Sequence, residues 1–166
     1  MAIRSILEHP DPRLRTIAQP VAQFDAELLG QVEDLFDTLH ASKGIGLAAT
    51  QIDLHRRIVV VDVSGAANDP MLFINPVIVK RSTPAMVEES CLSLPGIQDV
   101  VRRDARITVT AMDAAGTPSQ RQLEGLAAVC LQHEIDHLDG ILFADRLSLW
   151  SRFRLRWRSR KSVNFT

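Results

Sequence analysis

The chain has 166 residues, 46% of them hydrophobic and 23% charged, with a formal net charge of −1. That length fits one domain with a sizeable core, and these proportions are ordinary for a soluble globular protein rather than a disordered one. No apolar run approaches the roughly 20 residues of a membrane span, "MAIRSILEHPDPRLR" lacks the apolar stretch of a secretory signal, and two cysteines make no disulfide framework, so a cytoplasmic domain is expected.

In chain order, the first element is a helix. Leu28, Leu29, Val32, Leu35, Phe36 and Leu39 recur at helical spacing between Asp25 and Ser42, with Asp25 placed to cap it. "KGIGLAAT" follows, its glycines bracketing Ile45, which predicts irregular or extended backbone beside a close neighbour. "RRIVVVDV" and "MLFINPVIVK" read as strands separated by a polar loop. Next come "AMVEES", a turn expected at Pro95 and Gly96, and "DVVRRDARITVTAMD", where Ile107, Val109 and Ala111 alternate with polar neighbours. "TPSQRQLEG" leads into a last helix. Strands in the middle and a helix late in the chain favour an α+β fold.

That last helix carries "VCLQHEIDHLDG", with His133 and His137 four residues apart and Glu134 directly after the first. At that spacing the two rings are separated by about 40° and leave one helix face, with Glu134 about 100° further round. Two imidazoles and a carboxylate able to take a proton from activated water form the metal-hydrolase arrangement. The competing reading is an amphipathic helix whose histidines face solvent.

A third ligand must come from upstream. Gly140 is followed by Phe143 where some zinc proteases place a third histidine, and no glutamate follows Glu134. Cys91 and Cys130 are the candidates. Cys130 shares the histidine face but stands about 10.5 Å along the helix from His137. Metal bonds of about 2.1–2.3 Å hardly reach both, which suits Cys130 better to the lining of the site. Cys91, in "EESCLSLPG", can be presented by a strand to the facing helix, and one thiolate with two imidazoles leaves a coordination position open.

Three stretches resemble, in order, the motifs of the peptide deformylases: "GIGLAATQ" from Gly44 to Gln51, "ESCLS" from Glu89 to Ser93 and "QHEIDHLDG" from Gln132 to Gly140. "HPDPRLR" near the start and Arg103 are also similar to the family, and the resemblance covers about Ile3 to Leu147. It implies antiparallel strands packed around a central metal-binding helix, with a catalytic domain over 1–147 and a basic tail over 148–166. It implies removal of the N-formyl group from formyl-methionine on new polypeptides, releasing formate. By position, the resemblance makes Cys91, His133 and His137 ligands to one divalent ion, Fe²⁺ in the cell with Zn²⁺, Ni²⁺ or Co²⁺ as substitutes. Glu134 becomes general base and then acid, and Gln51 and the backbone N–H of Leu92 become oxyanion donors. Gly44, Ile45, Gly46, Val87, Glu89, Ser90, Leu126, Val129 and Cys130 fall at substrate-binding positions.

Two features depart from the family pattern. Ser90 stands where the family has glycine; with every metal and oxyanion position intact it is expected to be accommodated. The competing reading is that a positive φ strains it or that its Cβ narrows the peptide groove. Lys43 stands at the cleft mouth, where many relatives are acidic. A weakly active or inactive relative that binds nascent chains or the ribosome is the alternative that Ser90 and the basic tail raise. All 20 acidic residues and 12 of the 19 basic ones lie at or before Asp145, leaving that part at −8. From Arg146 onward there are seven basic residues and no acidic ones, a tail suited to ribosomal RNA or to packing on the acidic body. Neither a membrane nor a DNA partner is expected.

Overall fold

A computed structural model describes residues 2–64 and 68–147, so the segment 148–166, with the tail assigned to it, lies outside the described residues. Helix α1 spans Ala26–Ser42, followed by strands β1 (Gly46–Ala48) and β2 (Ile58–Val61). Two long strands, β3 (Met71–Cys91) and β4 (Leu94–Met112), precede β5 (Pro118–Glu124) and helix α2 (Gly125–Leu138). The strands form one antiparallel sheet in chain order, β1-β2-β3-β4-β5, so β1 is an edge.

The apolar run of β2 explains the layering. Ile58 and Val60 pack with Leu28, Leu35 and Leu39 of α1, while Val59 and Val61 pack with Leu131, Ile135 and Leu138 of α2. Successive strand residues point to opposite faces, so a strand buried on both sides reads as a continuous apolar stretch. Asp25 caps α1 as expected, its carboxylate accepting the Leu28 N–H at 3.0 Å. Lys43 ends the helix at φ 56°, a left-handed conformation that glycine usually fills.

The sequence divides the long hairpin into shorter runs, 71–80 and 85–90 on one side, and the fold joins them. Thr83 bridges the two runs at φ 61°, and Pro84 pairs with Asp104. The reversal lies at Leu92 and Ser93, between the paired Cys91 and Leu94, and not at Pro95 and Gly96 as expected. The register jumps from Ser90↔Gln98 to Cys91↔Leu94, so Pro95, Gly96 and Ile97 form a bulge inside β4. Proline lacks an N–H for the ladder and Gly96 takes φ 73°, the residue chemistry a bulge accepts as readily as a turn.

Helix α2 is buried from Ala128 to Leu138. Gln132 ties it to β4, donating to the Asp104 carbonyl at 2.7 Å and accepting the Asp104 N–H at 3.0 Å. The α+β architecture with antiparallel strands around a central helix is therefore as the sequence implies. No helix among the described residues is long and apolar enough to cross a membrane.

Candidate metal centre and active site

The hairpin turn and α2 meet at one point. Cys91 Sγ, a nitrogen of His133 and a nitrogen of His137 all lie within 4.8 Å of one another, and all three residues are buried. Cys91 Sγ is 3.2 Å from His137 Nε2, and the two rings sit edge to face with centroids 5.0 Å apart. Solvent-facing histidines are excluded, since His133 is 7% and His137 1% exposed.

The donor set fits a divalent ion. His133 Nδ1 lies 2.8 Å from Glu89 Oε2. A carboxylate only accepts, so Nδ1 donates and the Nε2 lone pair is left for a metal. Burial works against an ionised Glu89, but hydrogen bonds from His133 and Arg103 outweigh it and hold its pKa at about 2. Burial likewise opposes protonation of His133, yet its bonds to Cys91 and Glu89 raise it to about 10. Burial drives His137 well below its usual range, so that ring stays neutral. A divalent ion at the cluster would be held by these donors in their deprotonated forms.

Glu134 is 4% exposed and its Oε2 has no hydrogen-bond partner among the described residues. Burial pushes its pKa up to about 7, and a neighbouring cation would draw it down again. Gly46 explains how the carboxylate is seated. A Cβ there would lie 2.4 Å from Cys130 Sγ and 2.7 Å from Glu134 Oε1, so only glycine lets β1 approach α2 this closely. The close neighbour of Gly44 is Leu92, whose Cδ1 would be 2.9 Å from an added Cβ.

Gln51 sits in a short 3₁₀ turn, Ala49–Ile52, after β1. Its Oε1 accepts the Ala48 N–H at 2.8 Å, which turns Nε2 towards Ser93 Oγ at 3.1 Å. The N-terminal segment fastens both sides of this contact, because Leu7 N–H donates to the Gln51 carbonyl and His9 N–H to that of Ser93.

A cavity of about 470 Å³ opens over the cluster. Gly44, Ile45, Gly46, Val87, Glu89, Ser90, Leu126, Val129 and Cys130 line it, as do Gln51, Cys91, Leu92, His133 and Glu134. His137, 1% exposed, is not among the lining residues. Cys130 stands apart from the three-residue cluster, donating to the Ile45 carbonyl at 3.5 Å, and burial raises its thiol pKa well above the usual value. Ser90 pairs with Gln98 and is not among the positive-φ residues, so a serine in place of the family glycine carries no backbone strain.

Reading the motifs did not reveal the ionic network behind the rings. Arg103 forks Glu89 through Nε at 2.7 Å and Nη2 at 3.0 Å, and reaches Asp136 through Nη1 at 2.6 Å. Arg146 also pairs with Asp136, through two nitrogens. The Asp136 of "HEIDH" was the available signal, since a carboxylate on a buried helix requires a cation. Ser93, the partner of Gln51, likewise carries no role in the motif reading.

The polypeptide deformylase family profile matches residues 3–153. A peptide deformylase of Chromobacterium violaceum is 48% identical over 161 residues, covering 97% of this chain and 96% of its own. One from Neisseria gonorrhoeae is 45% identical over 166 residues, covering 100% and 99%. The crystal structure of a peptide deformylase from Legionella pneumophila matches with a TM-score of 0.90 at 43% identity, over 99% of this chain and 100% of that one. With the profile spanning nearly the whole chain and these relatives aligned end to end, the chain belongs to the polypeptide deformylase family.

Proposed function

We propose that Cys91, His133 and His137 hold one divalent ion, Fe²⁺ in the cell, and that Glu134 moves the proton in this family's reaction. That reaction is hydrolysis of the N-formyl group from the amino terminus of new polypeptides. The observation that carries the assignment is the convergence of one thiol and two buried imidazoles beside a buried carboxylate with an unpartnered oxygen. When bound, the ion supplies Lewis acidity, acidifying water and polarising a carbonyl.

The chain's own residues supply the rest. Glu134 removes a proton from the water whose oxygen bonds to the formyl carbon. Gln51 Nε2 and the Leu92 N–H donate to the carbonyl oxygen as it becomes an oxyanion, each worth about 3 kcal/mol in such a site. Glu134 then delivers its proton to the amine nitrogen as the carbon–nitrogen bond breaks, leaving formate and a free amino terminus. Val87, Leu126, Val129 and Cys130 form an apolar slot suited to an unbranched thioether such as methionine. The peptide beyond methionine pairs alongside Ile45 at the free edge of β1.

We assign residues 1–147 to the catalytic domain, place the protein in the cytoplasm and assign the basic segment 148–166 to ribosomal RNA. The test is formate release from formyl-Met-Ala-Ser by anaerobically prepared, Fe²⁺-loaded protein. Formate equal to the new amino termini, with the internal peptide bonds intact, is expected. Cleavage between residues would instead make the site a general peptidase.

A further inference from the structure

We propose that Arg146, thirteen residues beyond His133, is a positioning residue for that ring, acting through Asp136, Arg103 and Glu89. The inference rests on the reading of His133 as a metal ligand.

The chain of contacts is continuous. Arg146 places Nε and Nη2 on the two oxygens of Asp136. Asp136 Oδ2 also accepts Arg103 Nη1 at 2.6 Å. Arg103 forks both oxygens of Glu89, and Glu89 Oε2 accepts from His133 Nδ1 at 2.8 Å. The side chains of Arg103, Glu89, Asp136 and His133 are all at most 9% exposed, whereas that of Arg146 is 41% exposed. The relay thus starts at the surface and ends on the ring.

Charge shows what Arg146 contributes. With His133 neutral, as a metal ligand is, two buried carboxylates, Glu89 and Asp136, share one buried guanidinium, leaving an excess negative charge that Arg146 neutralises. Without it, Asp136 competes harder for Arg103, and the fork on Glu89 loosens. Glu89 alone fixes which nitrogen of His133 carries the proton and where the ring points. A second contact from the same short turn, Phe143–Arg146, reaches that ring directly, because the Phe143 ring centroid lies 6.1 Å from that of His133. The turn after α2 therefore braces His133 twice, by packing and by the ionic relay.

The experiment uses the full chain loaded with Zn²⁺ or Co²⁺. Release of Zn²⁺ to a chromogenic chelator and the visible absorption of the Co²⁺ form are measured for wild type, Arg146→Ala, Arg146→Lys and Asp145→Asn. Asp145 fastens the same turn, accepting the Leu142 N–H at 2.9 Å and pairing with Arg15, but lies off the relay. Loss of groups that orient metal ligands typically costs about 10–100-fold in affinity. One step further out, Arg146→Ala is expected to release Zn²⁺ about tenfold faster and to shift the Co²⁺ bands. Arg146→Lys, which keeps the charge without the fork, is expected within about threefold of wild type. Asp145→Asn is expected to match wild type in both readouts. Release from Arg146→Ala within twofold of wild type overturns the proposal, as does an equal change in Asp145→Asn, which would assign the effect to the fastening of the turn. If none of these proteins binds Zn²⁺ stoichiometrically, the reading of the metal centre fails instead.

Discussion

The two helices of this protein obey opposite rules. In α1, six of 17 residues are buried: Leu28, Val32, Leu35 and Leu39 form an apolar stripe, and Asp34 and Thr38 beside it bond the N-terminal segment at Ala2 and Arg4. In α2, 11 of 14 are buried, and five of those are Gln132, His133, Glu134, Asp136 and His137. A stripe needs only apolar area to be stable. A helix that buries five polar side chains needs partners for them, and these come from the end of β3, from β4 and from the turn after α2, with one Glu134 oxygen left unpartnered among the described residues. Substitutions on α1 are therefore expected to act on stability, and those at the polar positions of α2 and facing them on the chemistry.

The sharpest test of that division is the thiol. Cys91→Ala is expected to abolish stoichiometric metal binding, because it removes one of the three proposed ligand atoms, while Cys130→Ala is expected to retain the ion and alter only the apolar slot. Metal analysis of the two purified variants decides this. Loss of the ion from Cys130→Ala alone would transfer the ligand role to the wrong cysteine.

Glu134→Gln keeps the shape of the side chain but cannot accept a proton. Its rate is expected to fall by about 10²–10⁴-fold with the metal content unchanged. A variant within threefold of wild type would remove Glu134 from proton transfer and leave its burial unexplained.

On α1, Leu35 is fully buried against β2. Leu35→Ala is expected to cost about 2–5 kcal/mol of stability by transfer and cavity terms. Urea melts measure the loss, and turnover per folded molecule is expected to stay at the wild-type value. A change in turnover larger than the folded fraction explains would break the comparison, because it would couple α1 to the site.

How much of this was legible in the sequence follows from the same contrast. The stripe of α1, the doubly buried β2 and the spaced histidines of α2 each write their environment into a periodic pattern. The strand β5 does not, because only Leu123 of its seven residues is buried and the rest, five of them polar, are exposed at an edge. The turn at Leu92 and Ser93 was equally hidden, since Leu92 is no turn former and the adjacent Pro-Gly, a stronger turn signal than a single serine, marks a bulge instead. Of the fifteen positions proposed for the site, eleven lie in the ordered motifs, and all but His137 line one cavity. Arg146 was not legible, because a lone arginine at the start of a basic tail carries no sign of a buried carboxylate waiting ten residues upstream.

Acid tests the buried ions. Glu89 has its folded pKa depressed from 4.5 to about 2, so in this window the unfolded chain binds more protons than the folded one. Its contribution to stability is complete above pH about 4.5 and disappears as pH falls towards 2. His137, held neutral by burial, adds a loss that begins higher, as pH falls through the ordinary histidine range near 6.5. In urea melts of the metal-free protein, the stability difference between wild type and Glu89→Gln is expected to shrink as pH drops from 4.5 to 2. A difference independent of pH in that window would mean the carboxylate is not held ionised by Arg103 and His133.

The smallest expected effect lies where α1 touches the cavity. Lys43 ends the helix at φ 56° and lines the mouth together with Glu88. A side chain in left-handed backbone costs about 1 kcal/mol that glycine avoids, so Lys43→Gly is expected to stabilise the fold by up to about that amount. The same substitution removes an exposed cation from the path of the peptide. Turnover of formyl-Met-Asp-Ala is then expected to fall about two- to threefold relative to formyl-Met-Lys-Ala, an effect that fades in 0.5 M salt because exposed charges are screened. Lys43→Asn, which also tolerates left-handed backbone, is expected to reproduce the charge effect with less gain in stability. A shift in peptide preference without any gain in stability would show that the helix end is not strained. A gain in stability with unchanged preference would confine α1 to its structural part and leave the choice of peptide to β1 and the hairpin.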